Sequence, residues 1–386
     1  MKNICGIIVE YNPLHNGHLH HLKMAKEKTN ADLIIAVMSS HFTQRGEPAI
    51  IDKFTRTKYA LEAGIDLIIE LPFVFATQSA DYFAKGSVYL LNQLQCSHIV
   101  FGSETKAIEK QIDNIKDLFK NYDSFNNKVK ELMMEGLNYP EANNIALTNL
   151  GYFNLTTPND LLAFSYMKEI VKNQYPITPI SISRTHPYHD QTLKQTVTSA
   201  SGIRKAILDQ KEIINYTPMS KDLKDQLHYL DDYFQILKYK LLTTPKERLA
   251  SIHLINEGLE NKMLQEIKNS TSMVQFIDNV SSKRYTKVRI QRSIVYILMD
   301  ILKEDIKNIK KPNYIRVLGM SNQGKNYLHY LKEKTNIPII TRFSQIKDPL
   351  LDLEFRATAL YAISLEEPNR TKLIQKEYKQ PVIIHK

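Results

Sequence analysis

The chain has 386 residues, 43% of them hydrophobic, which is enough for two domains with separate cores. Its first apolar run, residues 4–9, ends at Glu10 and is too short for a signal-peptide core or a membrane span, so we expect a cytoplasmic protein. Because the only cysteines are Cys5 and Cys96, the composition excludes a disulfide framework and a cysteine-based zinc site.

The formal net charge of +10 is unevenly distributed. Residues 1–200 contain 19 Lys and Arg against 20 Asp and Glu, whereas residues 201–386 contain 32 against 21. The second half therefore carries the whole basic excess. A polyanionic partner such as nucleic acid would explain it, and so would a lysine-rich solvated surface.

Short apolar runs bounded by turn residues predict buried strands in the first half of the chain. They cover residues 4–10, 33–38, 67–71, 98–101 and 180–183. Helical spacing of apolar residues predicts helices over 18–28, 53–63, 80–94, 105–119 and 160–172. Strands that alternate with helices indicate an α/β fold with a doubly wound, Rossmann-like parallel sheet. The stretch 105–175 is too long for one crossover and predicts a helical insertion, with Pro140 and Pro158 at helix starts.

The pattern changes after Arg204. Residues 205–310 show helical spacing almost throughout, with little Gly or Pro. Short strands are predicted at 314–318 and 338–341, on either side of a helix at 325–334, as a small α/β tail packed on the helices. We therefore predict two domains, a doubly wound domain over 1–212 and a basic, mainly helical domain over 213–386.

The strongest candidate for chemistry is His15-Asn16-Gly17-His18, at the point where the first strand passes into the first helix. Two imidazoles three residues apart share one face of a starting helix, and Gly17 permits close approach of a ligand to the backbone. The helix N-terminus adds N–H groups and partial positive charge. This combination suits a bound nucleoside triphosphate whose α-phosphate is attacked, with His15 and His18 as the catalytic residues.

A second candidate is the string of residues 198–204, where hydroxyl groups at a helix start are followed by Arg204. Ser199 and Ser201 are expected to hold phosphate oxygens, and Arg204 to neutralise the departing pyrophosphate. A capping serine followed by a surface arginine is the commoner explanation of such a string. Its place after the fifth predicted strand favours the phosphate site.

The loop after the second strand and the helix that follows it contain Gln44, Arg45 and Lys53. Because such loops flank the ligand crevice of a doubly wound sheet, these residues are candidates for acceptor or phosphate contacts. A solvated loop that ends in a helix cap is equally consistent with the pattern. Gly102, at the end of the fourth strand, would let a base or ribose lie against the backbone.

A basic segment, residues 283–292, precedes an apolar helix face. The arrangement suits an RNA backbone, with Tyr285 available for stacking, although a solvated amphipathic helix is equally consistent. Further basic residues could extend the patch. The candidate RNA contacts are Arg284, Lys287, Arg289, Arg292, Arg316 and Lys325.

Taken together, five motifs of the chain resemble the bacterial tRNA(Met) cytidine acetate ligases. They are residues 7–18, the Gln44–Pro48 loop, residues 101–104, residues 158–160 and residues 199–204, and the similarity extends to residues 316–319 in the tail. The resemblance implies an enzyme that joins ATP and acetate into acetyl-adenylate. The acetyl group then passes to N4 of the wobble cytidine of elongator tRNA(Met), with release of pyrophosphate and AMP, without coenzyme A.

The resemblance also assigns contacts to ATP. Those contacts are Ile7, Ile8, Val9, Glu10, Tyr11, Asn12, Pro13, Leu14, His15, Asn16, Gly17, His18, Leu19, His20, Gly102, Asn159 and Arg184. Mg²⁺ is expected together with ATP, and no metal-ligating residues of the protein are predicted. One departure from the family pattern is visible, because Ser40-His41 stands where the family has Gly-Asn.

Two other functions remain open from the residues themselves. One is a small-molecule adenylyltransferase that acts on phosphopantetheine or a mononucleotide, which would leave the basic second half unexplained. The other is a nucleotide-sensing RNA-binding protein without turnover.

Overall fold

A computed structural model of the protein describes residues 3–149, 151, 155, 157–183 and 198–385. Its strands are β1 Ile4–Val9, β2 Leu33–Ser39, β3 Leu67–Leu71, β4 His98–Ser103, β5 Thr178–Ser183, β6 Ile315–Ser321, β7 Ile339–Ile340 and β8 Ile383–His385. Arg184, one of the residues assigned to ATP, lies outside the described residues.

The α-helices of the first half alternate with the strands. They are α1 Asn16–Thr29, α2 Lys53–Glu62, α3 Phe73–Ala76, α4 Ala80–Gln93, α5 Ile112–Lys120, α6 Tyr122–Met134, α7 Tyr139–Asn149, α8 Pro158–Asn173 and α9 Ala200–Leu208. The second half is mainly helical. Its helices are α10 Phe234–Thr243, α11 Lys246–Ser251, α12 Leu259–Glu266, α13 Met273–Val280, α14 Lys287–Met299, α15 Lys303–Ile306, α16 Asn322–Leu331, α17 Pro349–Ala362 and α18 Asn369–Lys379.

One sheet organises the chain, in the strand order β5-β4-β1-β2-β3-β6-β7, with β8 also paired to β6. Strands β1 to β5 are mutually parallel, whereas β6 runs antiparallel to β3. The order of the parallel strands reverses between β1 and β4. In a doubly wound sheet the ligand crevice lies outside the carboxyl ends of the strands at such a reversal, which here is the end of β1 and β4.

Side chains alternate between the two faces of the sheet along each strand, and each face is covered by its own hydrophobic core. Ile7 and Val9 of β1 belong to a core shared with α1, α2, α9 and residues 213–223. The opposite face, which includes Ile4, packs with α4, α8, the helical insertion and the C-terminal helices. The helical second half therefore shares a hydrophobic core with the sheet.

The predicted α/β class, the five parallel strands and the helical insertion are confirmed, and Pro140 and Pro158 lie in the first turns of α7 and α8. The tail differs from its prediction. Strand β6 joins the main sheet through β3 instead of forming a unit packed on helices, because its apolar residues on both faces complete the two cores. Within the described ranges, no helix is long and apolar enough to cross a membrane.

Candidate active site

The turn between β1 and α1 places two histidine rings in contact. The rings of His15 and His18 are stacked, with centroids 3.8 Å apart, and the ring of Tyr11 meets His18 edge-on at 5.0 Å. His15 is buried and is the N-cap residue of α1. The predicted pair therefore shares one face at the sheet edge where the strand order reverses.

Backbone hydrogen bonds fix the tautomer of both rings. The Gly17 N–H donates to Nδ1 of His15 over 3.0 Å, and the His15 N–H donates to Nδ1 of His18 over 3.3 Å. An imidazole nitrogen that accepts a hydrogen bond carries no proton, so each neutral ring has its proton on Nε2. The motif thus holds two Nε2–H donors side by side.

The first N–H groups of α1 already have partners. Those of His18 and Leu19 donate to the carbonyl of His15, that of Gly17 to the His15 ring, and that of Asn16 to the carbonyl of Tyr216. The N–H groups that the helix N-terminus was expected to supply to a nucleotide are therefore already bonded within the protein. Of the features that the sequence offered for phosphate, the histidine side chains and the dipole of the helix remain as candidates.

Residues of the predicted phosphate site close on the same turn. Ser199 caps α9 by accepting from the Gly202 N–H over 3.1 Å, and its hydroxyl lies 2.9 Å from that of Ser201. Arg204 donates to the carbonyl of Asn12 over 2.8 Å and to Glu47 Oε2 over 3.3 Å. The structure thus brings the string 199–204 to the turn that contains the histidines.

The loop after β2 packs directly on α14. Gly46 has a φ of +78°, and a Cβ there would lie 2.4 Å from the backbone nitrogen of Arg292, so only glycine fits. Gln44 Nε2 and Arg292 both donate to the carbonyl of Gln78, over 2.8 and 2.6 Å. Arg45 is half-buried in the same loop. The candidate acceptor loop therefore joins the histidine turn to a helix of the basic half.

Arg56 organises the ends of β1 and β2, although no motif in the sequence marks it as a site residue. Its buried guanidinium donates to the carbonyls of Glu10, Ser39, Ser40 and Ile51. Its burial could have been suspected from the sequence, because Arg56 lies on the same face of α2 as the apolar Ala60. Arg56 holds the edge from which the site is built.

Glu10 lies beneath the loop after β2. Its Oε1 accepts from the backbone N–H of Gln44 over 2.7 Å and from the Ser39 hydroxyl over 3.4 Å. Burial raises the pKa of the Glu10 carboxyl above its ordinary value, although the Gln44 hydrogen bond and the charge of Arg45 oppose the shift.

A second feature missed from the sequence is a clamp formed by residues 215–219 behind the turn. Thr217 is buried and donates to the carbonyl of Leu14 over 2.6 Å, while Sδ of Met219 accepts from the Leu14 N–H over 3.3 Å. The carbonyls of Asn215 and Tyr216 accept from the side chain and backbone of Asn16. No motif marks this segment, because its contacts are mainly to backbone atoms.

The fourth strand supplies a polar rim beside the crevice. Gly102 is half-buried near the end of β4, and Asn159 donates to Glu104 Oε1 over 2.7 Å from the first turn of α8. Asp160 accepts from Ser103, Thr105 and the Glu104 N–H. Burial alone would raise the pKa of Asp160, but these hydrogen bonds lower it.

The remaining residues assigned to ATP lie around the turn. Ile7, Ile8 and Val9 belong to β1, while Pro13 and Leu14 are buried in the turn itself. On α1, Leu19 is half-buried and His20 is exposed.

Lys53 and Arg316 lie in a buried ion cluster with Glu70 and Glu377. Lys53 Nζ is 2.6 Å from Glu70 and 2.9 Å from Glu377, and Arg316 is 2.8 and 2.5 Å from the same two carboxylates. Lys53 is fully buried and Arg316 is 5% exposed. The assignments of Lys53 to the acceptor and of Arg316 to RNA are corrected accordingly, since both cations hold β3, β6 and α18 together.

Ser40 and His41, which differ from the family pattern, are buried in the interior of the protein. Ser40 donates to Glu70 of the buried ion cluster over 2.9 Å, and His41 is fully buried with its ring stacked on Tyr361 at 4.4 Å. The substitution therefore changes packing beneath the loop.

The basic segment around α14 is only partly available to a partner. Arg284 and Lys287 pair with the exposed acids Glu257 and Asp278, over 2.8 and 2.5 Å. Tyr285 is buried, with the Arg289 guanidinium 4.6 Å above its ring, so its predicted role in RNA stacking is wrong.

Two other predicted RNA contacts differ from expectation. The guanidinium of Arg292 packs between α14 and Gln78, so it does not share an outward face with Arg289. This burial lowers the pKa of Arg292 to about 10. Lys325 is exposed on α16, which begins beside Asp66 at the opposite, amino edge of the parallel strands. Among the described residues, no group of three His, Cys, Asp or Glu could hold a metal ion.

Comparison with known proteins agrees with this geometry. Residues 1–376 match the HIGH Nucleotidyl Transferase family. The tRNA(Met) cytidine acetate ligase of Geobacillus sp. (strain WCH70) is 41% identical, over 98% of this chain and 99% of that protein. The protein of the same name from Bacillus subtilis (strain 168) is 36% identical, over 97% and 95%.

Solved structures give the same result. Apo TmcAL from Thermotoga maritima superposes with a TM-score of 0.90 at 29% identity, over 99% of both chains. The same protein bound with alpha-thio ATP superposes with a TM-score of 0.89 over the same share of both chains. The chain therefore belongs to the HIGH nucleotidyl transferases and, within them, to the tRNA(Met) cytidine acetate ligase family.

Proposed function

We propose that the protein is an ATP-dependent acetate ligase that acetylates N4 of the wobble cytidine of elongator tRNA(Met). The observation that carries this proposal is the stacked His15–His18 pair, which lies at the reversal of strand order on the turn to which Arg204 is hydrogen-bonded through the Asn12 carbonyl. Relatives over nearly the full chain are named tRNA(Met) cytidine acetate ligase, and a structural neighbour binds alpha-thio ATP.

The first step joins acetate to ATP. An acetate oxygen attacks the α-phosphorus, the bond to the β-phosphate oxygen breaks, and pyrophosphate leaves with the electron pair. The Nε2–H groups of His15 and His18 donate to the phosphoryl oxygens as charge accumulates there, and Arg204 balances the charge of pyrophosphate. Ser199 and Ser201 hold the terminal phosphates, and Mg²⁺ enters with ATP because it prefers phosphate oxygens and water.

The second step moves the acetyl group to RNA. The N4 amine of the cytidine attacks the carbonyl carbon of acetyl-adenylate, AMP departs with the electrons of the acyl–oxygen bond, and the nitrogen loses one proton. No coenzyme A takes part, because the acetyl group is already activated as the mixed anhydride. Residues 1–212 form the catalytic domain and residues 213–386 bind tRNA in this proposal, and we place the reaction in the cytoplasm.

Contact between the two halves supports this division of work. Gly46 and Gln44 connect the loop after β2 to Arg292 of α14, and Glu47 accepts from Gln291 over 3.3 Å. A helix of the basic half thus lies directly beside the candidate acceptor loop.

Acetate-dependent exchange of labelled pyrophosphate into ATP tests the first step. The protein is incubated with ATP, Mg²⁺ and labelled pyrophosphate, with and without acetate and in the absence of RNA. We expect exchange only with acetate. Exchange that requires phosphopantetheine or a mononucleotide would support a small-molecule adenylyltransferase, and absence of exchange with every acceptor would support a non-catalytic RNA-binding protein.

A further inference from the structure

The burial of Tyr285 leaves the RNA site without the aromatic ring that the sequence suggested. Sequence-specific recognition of RNA usually involves splayed bases stacked on aromatic side chains, so exposed rings near the acceptor loop are of interest. Two tyrosines meet this condition. Tyr82 on α4 is 48% exposed and Tyr139 on α7 is 38% exposed.

Hydrogen bonds bring the two tyrosines and a third segment together. The Tyr139 hydroxyl donates to Asp81, the neighbour of Tyr82, over 2.7 Å. Asn138, the neighbour of Tyr139, donates to the carbonyl of Lys283 over 3.2 Å. Helix α4, the helical insertion and the loop before α14 therefore meet at one place on the surface.

This surface carries positive charge beside its rings. The Lys85 ammonium lies 5.7 Å from the centre of the Tyr82 ring, and Lys283 is exposed. Within the described ranges, neither lysine forms an ion pair with a carboxylate, in contrast to Arg284 and Lys287. Exposed rings interleaved with unpaired cations suit a single-stranded nucleic acid, whose bases stack while its phosphates are neutralised.

The surface also lies at the same edge of the sheet as the candidate active site. Helix α4 follows β3, so its first turn lies at the carboxyl edge, where the histidine turn is found. The carbonyl of Gln78, just before α4, accepts from both Gln44 of the acceptor loop and Arg292 of α14. An RNA bound here would lie next to the loop that we assign to the acceptor.

We propose that Tyr82, Lys85, Tyr139 and Lys283 form the tyrosine–lysine surface that receives the single-stranded anticodon loop of the tRNA substrate. The inference rests on the proposed function and extends it, because Tyr82, Lys85 and Tyr139 lie in residues 1–212, so that the catalytic domain and its helical insertion share tRNA binding with residues 213–386. Tyr82 supplies the principal stacking ring. Tyr139 adds a second ring and fixes Asp81.

The test compares Tyr82→Ala, Tyr82→Phe and Tyr330→Ala. Tyr330 is a matched control, because it is 53% exposed and has the Lys334 ammonium 6.0 Å from its ring, yet it lies on α16. Each protein is titrated with an unmodified tRNA(Met) transcript, and its acetate-dependent pyrophosphate exchange is measured without RNA.

We expect Tyr82→Ala to raise the Kd for the transcript about tenfold, as loss of one stacked base does. Tyr82→Phe keeps the ring and should bind like the wild type, as should Tyr330→Ala. Equal affinity of Tyr82→Ala and the wild type would overturn the inference. So would a loss of exchange in step with the loss of affinity, because the ring would then support the fold.

A second pair of variants tests the charge. Lys283→Gln should lower the salt dependence of binding by about one unit of slope in a plot of log affinity against log salt, whereas Lys325→Gln should not. Equal slopes for the two variants would contradict the surface. Acetyl transfer by the wild type tests the proposed function separately. A protein that binds RNA through Tyr82 but transfers no acetyl group would refute the proposed function without refuting the RNA-binding surface.

Discussion

In the proposed reaction, the chemistry of the site rests on two imidazole rings whose protonation is set by the backbone. Because each Nδ1 accepts from a peptide N–H, His15 and His18 both present Nε2–H without carrying net charge. Neutral donors of this kind stabilise charge that develops on the α-phosphate, and they do not require protonation by the solvent.

The first prediction concerns His18. His18→Ala should lower acetate-dependent pyrophosphate exchange by about 10²–10³-fold, the usual cost of one lost donor to a transition state, while tRNA affinity is retained. His329→Ala, on α16 at the other edge of the sheet, is the control and should be unaffected. Normal exchange by His18→Ala would show that the reaction is centred elsewhere.

Individual residues show which parts of the candidate site could be predicted from the sequence. The sequence placed the histidine turn and the serines and arginine of α9 at the ends of strands, and the structure brings them together there through the bond from Arg204 to Asn12. Lys53 and Arg316 were misassigned, because the composition of a segment does not reveal whether a cation meets two buried carboxylates. Tyr285 was misassigned for a related reason, since the sequence does not reveal that its hydroxyl is bonded to Glu257 and to the carbonyl of Asn256 in a distant segment.

At the scale of elements, the clamp of residues 215–219 holds the turn in place. Thr217 is 2% exposed and ties the Leu14 carbonyl to the Met219 N–H through one hydroxyl group. The segment lies just beyond the predicted domain boundary at 212. Contacts between distant segments of backbone leave no pattern in a sequence, which explains why the clamp was not predicted.

The second prediction concerns Thr217. Thr217→Val is nearly isosteric but leaves the buried Leu14 carbonyl without its donor, which costs about 1–3 kcal/mol. We expect the exchange rate to fall about tenfold or more through misplacement of the histidines, with Thr217→Ser restoring it. If Val and Ser variants show the same exchange rate, the hydroxyl does not position the turn.

Secondary structure elements were predicted well where periodicity was strong. All five parallel strands were identified, because buried strands in such sheets are continuous apolar runs. The pairing of β6 with β3 could not be predicted, since antiparallel addition of a distant strand depends on tertiary contacts such as the salt bridge between Arg316 and Glu70.

Across the whole molecule, buried charge joins the two halves. Glu354 lies near Glu70, Glu377 and Lys53 of the buried ion cluster and accepts from the Phe73 N–H. Burial and then repulsion from Glu70 raise the pKa of Glu354 to about 8 from an ordinary 4.5. Its protonated form therefore contributes stability that is complete below pH 4.5 and is lost as the pH rises through about 8.

The third prediction follows from this shift. Glu354→Gln removes the titration, so the variant should lose less stability than the wild type between pH 5 and pH 9, by about 1–3 kcal/mol. Thermal unfolding at both values measures the difference, with the exposed Glu333→Gln as control. Parallel loss of stability in the wild type and Glu354→Gln would place the pKa of this carboxyl near its ordinary value.

The complete reaction tests the central claim most directly. The protein is incubated with ATP, Mg²⁺, labelled acetate and a tRNA(Met) transcript, without coenzyme A, and the nucleosides are then analysed by mass spectrometry. We predict label in N4-acetylcytidine at the wobble position, with one AMP formed per acetyl group and no label when ATP is omitted. Unlabelled RNA, or label that requires acetyl-coenzyme A, would contradict the account.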